Sequence, residues 1–158
     1  MLLTILAVVL IAITLPGTIE LLMLTLASLF HRNDPISAAQ RLRLAVIIPA
    51  HNEQLNIVRC VESIAASRQG LDSEIVVVAD NCNDDTAECA RSAGARVLER
   101  QDEQRRGKGY ALDFAFQTLL PEGFDGFLIV DADSIVRDNF LPVMASLFAQ
   151  GADGVQCR

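Results

Sequence analysis

The spacing of apolar and polar residues changes along the chain, and it predicts two kinds of structure. The first 30 residues form one apolar run in which Glu20 is the only charged side chain. A helix of about 20 apolar residues spans a bilayer, so this run predicts one transmembrane helix, an anchor over residues 1–30. Because no basic residue precedes the run, an anchor is favoured over a cleaved signal peptide.

Three arginines follow the apolar run, at Arg32, Arg41 and Arg43. Positively charged residues beside a membrane segment favour its cytoplasmic side. We therefore expect a protein of the inner or plasma membrane whose catalytic part faces the cytoplasm. Residues 31–43 are assigned to a linker between the anchor and that part.

From residue 44 onwards, short apolar runs alternate with stretches whose apolar residues recur at helical spacing. The runs Leu44–Pro49 and Glu74–Ala79 are typical of strands that are buried on both faces. Further strands are predicted at Ala95–Glu99, Phe127–Val130 and Ala152–Cys157. This alternation predicts an α/β fold, a mainly parallel sheet with helices on both faces, in one domain over residues 44–158.

Charge and cysteine content narrow the function classes. The formal net charge is −7, whereas nucleic-acid-binding domains usually carry a basic face, so we expect no nucleic-acid partner. The four cysteines form no CxxC pair and show no zinc-type spacing. This pattern favours reduced thiols in a cytosolic domain over a disulfide scaffold.

Polar residues collect directly after the predicted strands, where parallel sheets bind their ligands. Asp131 and Asp133 follow the fourth strand as a DxD motif, and both carboxylates can reach one point if the backbone leaves the sheet there. Mg²⁺ and Mn²⁺ prefer oxygen ligands and commonly join one or two carboxylates to substrate phosphates. The motif therefore predicts a divalent metal site, and the alternative is two solvated acids in a loop.

Two other strand ends carry candidate ligands for a nucleoside. Asp80 ends the second strand and can accept hydrogen bonds from a base or a ribose, while Asp84 and Asp85 are better explained as turn and helix-cap residues. After the first strand, Glu53 can reach a nucleoside or, alternatively, support the start of the next helix. His51 fits a role in this site and a loop position without a role equally well.

Arg106-Gly107-Lys108-Gly109 brings basic and small residues to the predicted start of a helix. Backbone N–H groups and basic side chains in such a position suit a phosphate. The Walker A pattern GxxxxGK[ST] is absent, and the alternative is a solvated basic turn. Lys108 is the only lysine in the chain and has a glycine on each side, which favours the phosphate role.

The chain resembles the family 2 glycosyltransferases through four strings that occur in a characteristic order. They are VIIPAHNE (Val46–Glu53), VVVADNCNDDT (Val76–Thr86), RGKGYAL (Arg106–Leu112) and IVDADS (Ile129–Ser134). Members of this family are inverting enzymes with the nucleotide-diphosphosugar transferase fold, also called GT-A. The leading apolar helix is similar to that of the membrane-bound branch.

The resemblance implies roles for individual residues. A nucleotide-sugar site is expected from Pro49, Ala50, Glu53, Asp80, Gly107, Lys108 and Asp131, and a site for Mg²⁺ or Mn²⁺ from Asp131 and Asp133. The implied activity is that of a hexosyltransferase with a nucleotide-diphosphosugar donor, expected to be a UDP-sugar. The acceptor, whether a lipid, a polysaccharide or a small molecule, is not specified.

The resemblance covers only the donor-binding half of such enzymes. Family members continue into an acceptor half with a carboxylate general base, often in an ED pair, and processive members carry QxxRW; neither follows Asp133 here. We therefore expect a truncated chain with an incomplete GT-A fold, whose general base lies beyond Arg158. Such a chain should bind its donor better than it transfers sugar.

Two alternatives stay open at this point. A nucleotidyltransferase shares the fold and an acidic metal site, but it usually carries a Gly-rich basic loop where this chain has PAHNE (Pro49–Glu53). The second alternative is a membrane-tethered remnant that binds nothing, because a partial sheet leaves an unpaired edge and exposed apolar faces.

Overall fold

The computed structural model describes residues 2–29 and 42–157. The chain divides into two units, Met1–Pro35 and Ile36–Arg158. The first unit contains the helix α1 (Leu2–Leu29). Its threonine hydroxyls bond back to the helix, and Thr14 Oγ1, for example, donates to the carbonyl of Leu10 at 2.9 Å.

The structure tests the predicted transmembrane anchor but largely does not describe the predicted linker. Among residues 2–29 and 42–157, no helix is both long enough and apolar enough to cross a membrane. The transmembrane helix predicted over residues 1–30 is therefore not supported. The linker predicted over residues 31–43 lies largely outside the described residues, as do Arg32 and Arg41.

A parallel sheet of four strands forms the second unit. The strands are β1 (Leu44–Ala50), β2 (Ser73–Asp80), β3 (Arg96–Arg100) and β4 (Gly126–Ile129). Their order in the sheet is β3-β2-β1-β4, with every neighbouring pair parallel. The two central strands are those with continuous apolar runs in the sequence, as expected for strands that are covered on both faces.

Helices connect the strands and cover the sheet. They are α2 (Ile57–Ala66), α3 (Thr86–Ser92), α4 (Lys108–Leu119) and α5 (Phe140–Ala149), with a 3₁₀ turn at Leu120–Glu122. The predicted α/β fold with a parallel sheet and helices on both faces is confirmed.

Two apolar clusters, one on each face of the sheet, form the core. Alternate side chains of β1 point to opposite faces because successive residues of a strand do so. Ala45 and Ile47 pack with Ala111, Ala115 and Leu119 of α4. The other face packs against α2, α3 and α5 through the residues Leu44, Val46, Ile48, Ile57, Ile64, Ala90 and Leu141.

The strand predicted at Ala152–Cys157 is wrong. These residues adopt bend and irregular conformations, and the Ala152 N–H donates to the Leu147 carbonyl at 3.2 Å instead of to a strand. Gly154 and Asp153 belong to residue types that are depleted in strands. The segment lies beside β4, the strand at the edge of the sheet. Residues of the segment and of β4 together line a groove of about 1180 Å³.

Candidate functional site

A cleft of about 310 Å³ opens where β1 and β2 end and α4 begins. It is lined by Pro49, Ala50, His51, Asp80, Asn81, Arg106, Gly107, Lys108 and Ala111. The carboxyl ends of parallel strands meet at this edge of the sheet, which explains why residues from distant strings converge here. Five of the seven residues predicted for the nucleotide-sugar site thus share one cleft.

The Asp80 carboxylate is the buried acid of this cleft. Its side chain is 7% exposed, and its Oδ1 accepts hydrogen bonds from Arg100 Nη1 at 2.6 Å and from Asn81 Nδ2 at 3.0 Å. No hydrogen bond among the described residues reaches its Oδ2. One oxygen of the carboxylate is therefore fixed by the protein, and the other is available to a ligand.

Asn81 connects the end of β2 to the segment after β3. Its backbone is left-handed, with φ +53°, which asparagine tolerates better than most residues. The Asn81 N–H donates to the carbonyl of Arg100 at 2.8 Å, and its Oδ1 accepts from the N–H of Asp102 at 2.7 Å. These bonds fix the turn in which Asp80 leaves the strand.

The first turn of α4 forms another side of the cleft. Gly107 precedes the helix with φ +111°, a conformation that side-chain-bearing residues rarely adopt. The N–H groups of Lys108 and Gly109 have no acceptor among the described residues, and together with the positive end of the helix dipole they favour an anion. Lys108 and Arg106 add two side-chain cations at the same place.

Lys108 connects this turn to the DxD motif. Its Nζ forms an ion pair with Asp131 Oδ1, and both side chains are about half exposed. Asp131 also lines the groove beside β4, so it lies between that groove and the cleft. Asp133 is exposed and has no hydrogen bond or ion pair with any residue of 2–29 or 42–157.

The buried thiol of Cys60 lies beneath the two acids. Cys60 Sγ donates to the backbone carbonyl of Asp131 at 3.5 Å. Burial, and after it the negative charges of Asp133 and Asp131, raise the pKa of this thiol to about 11. Cys60 therefore stays a neutral donor to the backbone of the DxD motif.

A sequence model described as Glycosyl transferase family 2 matches residues 45–158. The chain belongs to glycosyl transferase family 2. This match confirms the family that was predicted from the four sequence strings.

Curated relatives of this family 2 chain have different named activities. Glucosyl-3-phosphoglycerate synthase of Mycobacterium tuberculosis is 33% identical over 119 residues, which are 72% of this chain and 36% of the relative. The low-salt glycan biosynthesis hexosyltransferase Agl6 of Haloferax volcanii is 33% identical over 68% of this chain and 25% of its own. The chain therefore spans about a third or less of the length of these two relatives.

Solved structures show the same fold with ligands. The M. tuberculosis glucosyl-3-phosphoglycerate synthase in complex with Mn²⁺, UDP and phosphoglyceric acid superposes with a TM-score of 0.61 at 29% identity. The match covers 80% of this chain and 47% of that one. The same enzyme with Mg²⁺ and UDP gives a TM-score of 0.59. The expectation of a divalent metal is thus supported for the family.

The acids of this family 2 chain fit a divalent cation that the substrate helps to bind. Asp131 and Asp133 offer hard oxygen ligands, and the Asp133 carboxylate has no hydrogen bond or ion pair with any described residue. No group of three or more His, Cys, Asp or Glu within the described ranges could hold a metal alone. Mg²⁺ commonly takes one or two carboxylates and completes its shell with water and phosphates, so the donor set suits a cation that arrives with a diphosphate.

Glu53 is, with Asp131, one of the two predicted nucleotide-sugar ligands that do not line the cleft. Its Oε2 accepts from Asn56 Nδ2 at 3.0 Å, and its carbonyl accepts from the N–H of Ile57 at 2.9 Å. The Glu53 N–H donates to Thr86 Oγ1 at 2.7 Å. These contacts favour the alternative in which Glu53 supports the start of α2.

Asp84 has the turn-stabilising contacts that were predicted for it. Its carboxylate accepts from the N–H groups of Thr86 at 3.0 Å and Gln54 at 3.2 Å. Burial acts to raise the pKa of Asp84, but the hydrogen bonds from Thr86 and Gln54 outweigh it and lower that pKa. Asp84 therefore joins the loops after β1 and β2 and leaves the cleft to other residues.

Asn81 and Arg100 were not among the predicted ligands, and His51 had been left open between a role in the site and none. His51 Nδ1 lies 2.7 Å from the carbonyl of Asp80, and because a carbonyl only accepts, Nδ1 carries the proton. The sequence signal for Arg100 is its position at the end of β3, but its role depends on the strand register, which pairs Arg100 with Asp80.

Proposed function

We propose that this chain binds the nucleotide-diphosphosugar donor of a hexosyltransferase, with a UDP-sugar as the donor class. The observation that carries the proposal is the convergence of Asp80, Lys108 and Asp131 on adjoining surfaces at the carboxyl edge of the sheet. The buried carboxylate of Asp80 suits the nucleoside, and the start of α4 suits the diphosphate. The two acids of the DxD motif suit the metal ion that accompanies the diphosphate.

Each part of the donor has a matching surface. The nucleoside would lie against Pro49 and Ala50, with its polar edge toward Asp80. The diphosphate would lie at Gly107 and Lys108, where orphan N–H groups and a cation favour negative charge. Names of family relatives support the donor class, since the mycobacterial synthase was solved with UDP and Mn²⁺.

A divalent cation, when bound, would neutralise charge on the departing nucleoside diphosphate. Asp131 and Asp133 would hold it. The residues of this chain would bind and orient the donor and would stabilise the charge of the leaving group. Inversion at the anomeric carbon also requires a general base on the acceptor side, and no residue of this donor site is assigned that role.

The acceptor stays unassigned, and the location at the inner or plasma membrane stays a prediction. The named relatives act on phosphoglycerate, as for the mycobacterial synthase, or take part in glycan biosynthesis, as for Agl6. Because these names cover different acceptors, the proposal is confined to the donor. The nucleotidyltransferase alternative is not favoured, since the end of β1 and the loop after it carry PAHNE and the family match is to glycosyltransferases.

Calorimetric titration of the full chain with a UDP-sugar, with and without Mn²⁺, tests the proposal. The variant is Asp133→Asn, and the matched control is Asp138→Asn, an exposed acid of the same loop. We expect Mn²⁺ to strengthen binding in the wild type and the control but not in Asp133→Asn. Equal affinity with and without Mn²⁺ in the wild type would remove the metal assignment, and no binding at all would support the remnant alternative.

A further inference from the structure

Arg100, the last residue of β3, forms ion pairs with two acids. Asp80 ends the neighbouring strand β2, and Asp102 lies just after β3. Arg100 Nη1 donates to Asp80 Oδ1 at 2.6 Å, and Arg100 Nη2 donates to Asp102 Oδ2 at 3.1 Å. The Arg100 side chain is only 10% exposed. A buried ion pair is costly to desolvate and is often no more stabilising than apolar packing, so its presence here calls for a role besides stability.

The ion pair with Arg100 occupies only one of the two carboxylate oxygens of Asp80. Arg100 and Asn81 both bond to Oδ1, and the other carboxylate oxygen has no partner among the described residues. A carboxylate that is fixed through one oxygen is pre-oriented, and a ligand that bonds to the second oxygen does not have to order the side chain. Arg100 itself is not among the residues that line the cleft.

Charge balance supports the same role. A donor diphosphate would enter a region that already contains the carboxylates of Asp80, Asp131 and Asp133. Lys108 pairs with Asp131, and Arg100 pairs with Asp80. Without Arg100, Asp80 would be a buried charge with no cationic partner, which is strongly unfavourable and would repel an anionic ligand.

We propose that Arg100 is a positioning residue that orients Asp80 for the nucleoside end of the donor. The inference rests on the proposed function, because it assigns the nucleoside to Asp80. The planar fork of the guanidinium bridges two carboxylates at once, whereas the single ammonium of a lysine cannot reproduce that geometry. Arg100→Lys therefore keeps the charge and removes the alignment.

The chain offers a matched control on the same strand. Arg96 is four residues from Arg100, so both side chains lie on one face of β3. Arg96 bonds to the two oxygens of Glu122 at 2.8 Å each and lies near Glu74 at 3.4 Å. It occupies the amino end of the strand, away from the cleft, so Arg96→Lys removes the alignment of a second bidentate ion pair without touching the site.

The experiment measures affinity for uridine and for UDP with Mn²⁺ in the full chain, for the wild type, Arg100→Lys and Arg96→Lys. Loss of the outer partner of a metal ligand commonly costs about 10- to 100-fold in affinity or activity, and we expect the same order for the outer partner of a nucleoside ligand. We expect Arg100→Lys to weaken uridine and UDP binding by a similar factor, at least about tenfold. The ratio of UDP affinities with and without Mn²⁺ should not change, and Arg96→Lys should bind like the wild type.

Asp102→Asn provides a second variant if Arg100→Lys does not fold, as judged by thermal unfolding. It removes one arm of the bridge and leaves the bond between Arg100 and Asp80, so a smaller loss of uridine affinity is expected. Unchanged uridine binding in both variants, or an equal loss in Arg96→Lys, would overturn the inference while leaving the proposed function intact. A wild-type chain that binds neither uridine nor UDP would overturn both.

Discussion

Lys108 at the start of α4 and Asp131 after β4 form an ion pair that connects the phosphate-favouring turn to the DxD motif. The pair occupies one of the two carboxylates that would bind a divalent cation. In the absence of nucleotide, a cation must therefore compete with Lys108 for Asp131. Once a diphosphate is present, the same lysine can pair with it.

Lys108→Ala should have opposite effects on metal and nucleotide binding. Exposed ion pairs contribute up to about 1 kcal/mol, so the variant should bind Mn²⁺ up to about fivefold more tightly in the absence of nucleotide. It should bind UDP with Mn²⁺ more weakly, because a cation near the diphosphate is lost. Calorimetry with each ligand measures both effects.

Arg105→Ala is the control for Lys108→Ala, because Arg105 is an exposed neighbour that does not line the cleft. It should change neither affinity. If Lys108→Ala weakened Mn²⁺ binding in the absence of nucleotide, competition within the pair would be disproved.

Gly107→Ala should lower both stability and UDP affinity. A Cβ at Gly107 would meet nothing within 4 Å, but the backbone has φ +111°. The cost is therefore conformational, about 1–3 kcal/mol in the free energy of unfolding, and relief of the strain would reorient the first turn of α4. Chemical denaturation and UDP titration measure the two effects.

Gly109→Ala is the matched control for Gly107→Ala. Gly109 lies inside α4 with open space around its Cα. Alanine is favoured over glycine within a helix by about 1 kcal/mol, so this variant should be as stable as the wild type or more stable. Equal losses of stability in the two variants would show that the backbone of Gly107 has no special role.

Cys60 should make stability depend on pH in the alkaline range. Its pKa rises from 9.0 to about 11 on folding, chiefly because it is buried. Between these values the unfolded chain loses the thiol proton and the folded chain keeps it, so the free energy of unfolding falls as pH rises through this window. Below pH 9 both states hold the proton, and this contribution to stability is fully present.

Urea denaturation of the wild type and Cys60→Ala from pH 8 to pH 11 tests this expectation. The stability difference between the two proteins should shrink as pH rises, because the variant lacks the thiol. Iodoacetamide should modify the exposed Cys157 at pH 8 while the buried Cys60 stays unmodified. A constant stability difference, or rapid alkylation of Cys60, would contradict the assignment.

The sheet was predictable because its central strands carry an unambiguous signal. Leu44–Ala50 is apolar throughout and is followed by polar residues, and Ser73–Asp80 contains a continuous apolar run that ends at Asp80. Parallel topology then brings those strand ends together. Asp80 ends β2, and Lys108 starts the helix that follows β3, so both were expected at the carboxyl edge of the sheet. This expectation needed the strand topology but no individual side-chain contacts.

Other features depend on three-dimensional detail that a pattern does not contain. The residues Ala152–Cys157 have strand-like spacing, but a strand exists only where a neighbouring backbone pairs with it. Glu53 lies beyond Asn52, whose left-handed backbone at φ +56° redirects the loop. Arg100 became part of the site only through its register with Asp80.

The most direct test of the account is the location of Mn²⁺ relative to the sheet, measured by NMR line broadening in the full chain with UDP. The account predicts strong broadening of the amide signals of Gly107, Lys108, Asp131 and Asp133, because these residues surround one cation-bound diphosphate. The amides of Arg96 and Asp125, at the opposite end of the sheet, should keep their intensity. Broadening at that opposite end, with Gly107 and Lys108 unaffected, would contradict the central claim.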